Sequence, residues 1–344
     1  MKQFRRLLVI STAFAASLAG MPAEVQSGTP AGGPVAFAAT PAHAQTWPAK
    51  PLRILMSAAP GQTSDTVSRG VAEVLPKLLG QPVFVENRPG ADGILGMESC
   101  AKSAPDGYTL CSTTSSLIIW NMVQRSKLPY DSLRDFAPVM QAGFFDSALV
   151  AHASRPYGTV RELIDYARAH PGQVNWGHFG VNTTGYMYLE YLKKKDGADF
   201  YAVPYKSPPQ NMLALVSNET DVTLTALNTA GPHIRSGKLK VLAVTASRRV
   251  DWLPNVPTFE EEGIKLPLRT WEGYHYPVAV PRELVMRMNA ELRKVYETPS
   301  FRSNVVDRVS LVPNVGTPEA FDRFIREQLV AVKELVNYLG LKPE

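Results

Sequence analysis

Leu52-Arg53-Ile54-Leu55-Met56 runs straight into Ser57-Ala58-Ala59-Pro60-Gly61-Gln62-Thr63-Ser64-Asp65, and this junction decides the fold. The first five residues read as a short apolar strand. Thr63–Asp65 gather three residue types that favour helix starts. Val67, Val71, Val74 and Leu78 then recur at helical spacing, with Pro76 inside the pattern predicting a kink or an early stop. Val83–Glu86 reads as the next strand, Asn87-Arg88-Pro89-Gly90 as a turn, and Tyr108–Ser112 as a third strand. Strand–helix–strand alternation of this kind implies a parallel sheet covered by helices.

The same rhythm restarts near Ala148. Thr159-Val160-Arg161-Glu162 is a capping box opening a helix through Ala169, which stops before Pro171-Gly172. Strands are expected at Val174–Trp176, Phe200–Val203, Asp221–Ala226 and Leu239–Thr245. Beyond Pro267 come two helices with proline at the first position, at Pro281 and at Thr317-Pro318. The expected fold is α/β and two-lobed, each lobe a mainly parallel sheet flanked by helices. Residues 45–147 plus 268–344 would form one lobe, 148–267 the other, after a leader over 1–44.

That leader has a basic start (Lys2, Arg5, Arg6), an apolar run from Leu7 to Ala19 and an A-x-A signature at Ala42-His43-Ala44. The run is too short for a comfortable membrane span. Export to the periplasm with cleavage of the leader is expected. The Ala/Pro/Gly-rich stretch from Pro22 to Pro41 leaves the cut open, and Arg5-Arg6 also permits a twin-arginine route. The chain of 344 residues is 45% hydrophobic and 19% charged, which excludes a disordered polypeptide. Its net charge of +5 is partly the leader's: without 1–44, 33 basic and 30 acidic residues remain, dispersed rather than striped. No nucleic-acid partner is therefore expected. In an oxidising compartment Cys100 and Cys111, flanking the Pro105-Asp106-Gly107 turn, can bridge; the alternative is two small core residues, one on a helix and one on a strand.

Catalytic patterns are missing. There is no G-x-S-x-G elbow, H-E-x-x-H, Walker loop or G-x-G-x-x-G, and the histidines show no metal-ligand spacing. Gly90–Gly96 is glycine-rich but reads as a turn entering a helix. No enzyme, cofactor or metal site is expected; the sole hint of a hydrolase is His178 near Thr183 and Thr184. What stands out is a pair of strand-to-helix loops suited to anions. The first supplies Ser57, Ala58, Gly61, Gln62, Thr63, Ser64 and Asp65 as candidate ligand contacts. The second, Gly177–Gly185, supplies His178, Phe179, Asn182, Thr183 and Thr184. Thr114 is a further candidate contact. Such loops expose backbone N–H groups at a helix start, where the dipole adds about half a positive charge. Two of them, one per lobe at strand carboxyl ends, suggest a cleft for a carboxylate.

The run Ile54–Asp65 resembles the first strand and loop of the extracytoplasmic solute receptors of tripartite tricarboxylate transporters, the Bug-type family. The resemblance continues through Gly80-Gln81-Pro82-Val83, Val85–Gly90, Ala104–Leu110, Leu128-Pro129-Tyr130-Asp131 and Asp135–Val139. It runs on in Val203-Pro204-Tyr205-Lys206, Ser236–Leu239, Leu242–Thr245, Arg249 and Val256–Gly263. It implies a periplasmic binding protein whose two lobes, joined by two crossovers, close on a carboxylate held by backbone amides of Ala58–Asp65 and His178–Thr184. Membrane transporter subunits would be its partners and a monomer its state. A ligand-sensing adaptor for a membrane sensor is the alternative. Departures bear on the ligand: Ser57-Ala58 stand where the family usually has Pro-Phe, Gln62 replaces a glycine, and Phe179 a small residue. Tyr186 stands where a histidine is frequent, and Thr225 where an aspartate is often found. Loss of that carboxylate argues against an amino-acid ligand. His178, Phe179, Tyr186, Trp120 and Trp271 together suggest an aromatic or bulky acid; for Trp120 and Trp271 the alternative is packing in the core or cleft wall.

Overall fold

The structure, a computed structural model, describes residues 47–181 and 183–341; the leader and Asn182 lie outside the described residues. Among those residues eleven strands form two sheets. The first sheet contains β1 (Leu52–Met56), β2 (Val83–Asn87), β3 (Thr109–Thr114), β4 (Phe136–Phe145), β10 (Thr270–Pro277) and β11 (Leu311–Pro313), in the order β11-β4-β10-β3-β1-β2. The second contains β5 (Ser147–His152), β6 (Val174–His178), β7 (Phe200–Pro204), β8 (Val222–Ala226) and β9 (Leu239–Val244), in the order β7-β6-β8-β5-β9. The longer helices are α1 (Thr63–Leu79), α2 (Ile94–Ala101), α3 (Val160–Ala169), α4 (Thr184–Asp196), α5 (Pro208–Val216), α6 (Leu227–Arg235), α7 (Arg282–Glu297) and α8 (Pro318–Leu339).

The sheets are mixed rather than mainly parallel. β1 runs parallel to β2 and β3, and β6 to β7 and β8, as strand–helix–strand units require. β10 is antiparallel to β3 and β4, and β5 to β8 and β9. The cause is connectivity. β5 and β10 are the first strands after the chain passes from one sheet to the other, and each enters its new sheet reversed. A single residue, Asp146, separates β4 from β5, while residues 245–269 return from β9 to β10.

Local signals held at most helix ends. Thr159 accepts from the Glu162 amide, and Thr317 caps α8, whose first residue is Pro318. Pro281 lies one residue before α7 rather than in its first position. Pro76 does not stop α1: the helix continues to Leu79 and closes on Gly80 in the left-handed conformation. β4 and β10 carry no clean alternation, because they are buried on both faces and hold Gln141, Glu272 and His275 in the interior. The rings of Trp120 and Trp271 are core: Trp271 is fully buried and meets Phe321 edge-on at 5.2 Å.

Cys100 on α2 and Cys111 on β3 are joined as a disulfide, with Cα atoms 6.1 Å apart and both residues buried. The bridge closes a short loop, so a Cys100→Ala/Cys111→Ala double variant is expected to lose about 2–3 kcal/mol in urea unfolding. Glu272 is fully buried; one carboxyl oxygen accepts from Ser112 Oγ at 3.0 Å. Burial pushes its pKa well above the ordinary value, so the fold favours the neutral acid. That contribution is present below the unfolded-state pKa and is lost as pH rises through the folded one. Glu272→Gln should therefore flatten the decline in melting temperature that sets in as pH rises above the ordinary carboxylate range; an unchanged profile would refute the assignment.

Candidate functional site

Both candidate loops leave their sheets at the edges where the crossovers pass. In the first sheet, Met56 pairs with Ser112, Thr114 with Glu272 and Phe145 with Thr270. In the second, Ser147 pairs with Ala226, Ala148 with Val244 and His178 with Pro204. With only Asp146 between Phe145 and Ser147, these two edges are adjacent. The loops 57–65 and 178–184 therefore lie at neighbouring strand ends.

Within the first loop, Gln62 is the residue preceding α1, and no side chain caps the helix. The helix starts at Thr63, as the cluster of Thr63, Ser64 and Asp65 predicts, but the cap position itself falls on Gln62. The first N–H groups of a helix have no intrahelical acceptor, so this end is left open. Asp65, the residue best placed to quench it, is buried and committed elsewhere. Its Oδ2 accepts from the Gly61 amide at 2.9 Å and from Arg69 Nε at 2.8 Å, while Oδ1 accepts from Asn87 Nδ2 at 2.9 Å. Asn87 also donates to the Ala58 carbonyl at 3.0 Å and accepts from Arg69 at 2.9 Å. Burial acts to raise the Asp65 pKa, but hydrogen bonds from Arg69, Gly61 and Asn87 outweigh it and hold it below the ordinary value. Asp65 thus ties the two ends of the 58–61 segment to α1 and β2. Gly61 adopts a φ of +84°, which favours glycine at this bend.

Ser57 is buried against α2. A Cβ added at Gly96 would lie 2.5 Å from Ser57 Oγ and 2.7 Å from its Cα, so only glycine allows the approach. Ala58, Thr63 and Ser64 are half-buried, Gln62 is exposed, and Thr114 is half-buried at the end of β3.

In the second loop Thr183 caps α4: its Oγ1 accepts from the Tyr186 amide at 3.4 Å and donates to the Gly180 carbonyl at 2.8 Å. His178 is buried at the end of β6. Its Nδ1 accepts from the Gly180 amide at 3.3 Å, its carbonyl from the Tyr205 amide at 2.7 Å, and its ring lies 4.9 Å from that of Tyr186. Burial lowers the His178 pKa, favouring the neutral ring. Phe179, Thr184 and Tyr205 are half-buried, and Thr225 is buried in β8 opposite Ala148. The structure thus gathers 57–65 around Asn87, and His178, Thr183, Tyr186 and Tyr205 around the opening of α4.

Asn87, read in sequence only as part of a turn and of the family resemblance, and Arg69, a common helical arginine, were not among the expected site residues. Two cavities lie away from both loops. One, of about 830 Å³, is bordered by Arg125, Tyr130, Arg326 and Lys333. The other, of about 810 Å³, lies between α4, the second crossover and α8. Among the described residues no His/Cys/Asp/Glu cluster is arranged to hold a metal, and no helix is long and apolar enough to cross a membrane.

Replacing Asp65 by alanine leaves the Gly61 amide and Asn87 without their acceptor, at an expected cost of about 1–3 kcal/mol near neutral pH. The wild-type contribution is present above the ordinary carboxylate range and lost as acid titrates the lowered group. The variant and wild type should therefore converge in urea stability only as pH falls below that range, through the lowered pKa of Asp65.

Residues 67–341 match the tripartite tricarboxylate transporter family receptor. Two relatives come from Bordetella pertussis. One, a protein of the UPF0065 group, is 30% identical over 311 residues, covering 90% of this chain and 95% of its own. The other, BugT, is 28% identical over 309 residues, covering 88% and 94%. Two solved structures are similar throughout. R. palustris Rpa4515 with adipate has a TM-score of 0.75 at 26% identity, over 87% of this chain and 100% of its own. MatC of Rhodopseudomonas palustris with bound malate has a TM-score of 0.69 at 26% identity, over 84% and 100%. The protein therefore belongs to the tripartite tricarboxylate transporter receptor family, the Bug-type solute receptors, with the two-lobed α/β fold of periplasmic binding proteins, and is a receptor rather than an enzyme.

Proposed function

We propose that this chain is an exported receptor that captures an organic carboxylate between lobes made of residues 45–147 plus 268–344 and 148–267. A single copy would deliver its cargo from the periplasm to the membrane subunits of a tripartite transporter. The observation that carries the reading is the open start of α1. It is uncapped, it lies at the carboxyl edge of the first sheet, and the nearest carboxylate is already satisfied inside the lobe. The N–H groups of Thr63, Ser64 and Asp65 there are suited to one carboxylate oxygen pair. The opening of α4, with Thr183 and Thr184, lies at the adjoining edge and would complete the grip as the lobes shut. Adipate and malate in the two related receptors support this class of ligand. The Cys100–Cys111 bridge agrees with an oxidising compartment.

The Asp65 side chain acts as a positioning group in this reading, not as a ligand contact, because both of its oxygens are engaged. An ammonium group would thus find no free carboxylate in the first loop, which favours acids over amino acids. Trp120 and Trp271 do not bear on ligand shape, since they belong to the core. Phe179, Tyr186 and Tyr205, with the neutral His178, remain as the apolar wall and favour a bulky or aromatic acid.

Scanning fluorimetry against aliphatic diacids, hydroxy-diacids, aromatic acids and amino acids tests both levels. A bound acid at a hundredfold excess over its Kd should stabilise the protein by about 2.7 kcal/mol. Stabilisation by aliphatic diacids alone would overturn the aromatic preference and leave the receptor reading standing. No response to any acid would overturn the carboxylate reading itself.

A further inference from the structure

We infer that the ion pair between Asp146 and Arg269 is the pivot of the two lobes, making both crossovers bend as one unit. The proposal rests on the reading that the lobes move, but not on which solute they enclose. Asp146 is the single residue of the first crossover, and Arg269 the last residue of the second. Arg269 Nη2 donates to Asp146 Oδ1 at 3.0 Å. The aspartate is 6% exposed and the arginine side chain 23% exposed.

The two partners are anchored to different lobes. Asp146, at the end of the first lobe's leading segment, is held by the second: its carbonyl accepts from the amide of Leu227, the first residue of α6, at 3.0 Å. Its neighbour Ser147 exchanges hydrogen bonds with Thr245, amide to Oγ1 at 2.9 Å and carbonyl from the Thr245 amide at 2.8 Å. Arg269 belongs to the first. Its guanidinium lies 3.8 Å over the Phe144 ring of β4. Its carbonyl, like that of Pro267, accepts from Gln328 Nε2 of α8 at 3.4 Å, and Gln328 Oε1 accepts from Trp271 Nε1. The charge pair therefore crosses the seam between the lobes at the point where both connections pass.

A contact at a hinge axis moves least as the lobes swing, so it can persist while the cleft opens and shuts. Breaking a largely buried pair from one side leaves an uncompensated charge, whereas removing both charges does not. Without the pair the two crossovers stay coupled only at the Ser147–Thr245 end, the Arg269 end of the second is free to move against Asp146, and the fraction of molecules able to close in register falls. Apparent affinity falls with that fraction although no ligand contact has changed.

The test compares Asp146→Asn, Arg269→Gln, the double variant and the conservative Arg269→Lys with the wild type. The main readout needs no ligand: hydrogen exchange of 144–147 and 245–269 by mass spectrometry. Both single variants should speed exchange in these two segments about tenfold while the β1 and β6 segments keep their protection; Arg269→Lys should restore most of it. With adipate as probe, the single variants should bind about tenfold more weakly than wild type, and the double variant no more weakly than either single. Unchanged exchange in the crossovers, or exchange raised uniformly across the domain, would overturn the inference by showing no role or a purely structural one. If a single variant fails to fold, the double variant, free of stranded charge, gives the same reading. Failure of every acid to bind the wild type sinks the carboxylate reading and leaves the exchange result to judge the pivot.

Discussion

An α-helix cannot satisfy its own first amides, and at the start of α1 this protein leaves them open. The usual remedies are a capping hydroxyl or a carboxylate folded back onto the first turn. Here Gln62 provides no cap, and the Asp65 carboxylate reaches past the helix end to Gly61, Arg69 and Asn87. The rest of the first lobe's cleft edge follows from that arrangement. The 58–61 segment is held from both sides, Ser57 rests on α2 through the glycine at 96, and α2 is fastened to β3 by the disulfide. A polar helix end is thereby presented on a support too stiff to collapse onto it.

The two lobes treat this problem differently. α4 is capped by Thr183, so its opening is partly quenched, and the rings of His178 and Tyr186 lie beside it 4.9 Å apart. In the proposed reading the first lobe would contribute charge complementarity and the second shape, so that the anchor for an acid group could stay while the second loop changes to suit a different body.

The strand-to-helix junctions were readable from sequence because they are local. β1, the start of α1, the Thr159 capping box and the Thr317-Pro318 opening depend on neighbours within four residues. What sequence did not show depends on partners far along the chain. Asn87 meets Asp65 across 22 positions and Arg269 meets Asp146 across 123, and neither residue type is unusual where it stands. β4 and β10 escaped for another reason: strands covered on both faces lose the alternation that marks a half-exposed strand. The sheets' mixed direction went unread because a reversed entry, at β5 and β10, is visible only once the crossovers are known. The tryptophans were ambiguous in sequence because a ring in a core and a ring in a cleft wall look alike; packing of Trp271 on Phe321 places it in the core.

The staple between Cys100 and Cys111 gives one polypeptide two different mechanical lives. For a chain exported as proposed, the α2 segment would be tied to its sheet by contacts alone until it met an oxidising compartment. The support beneath Ser57 would then gain its covalent tie only after that passage.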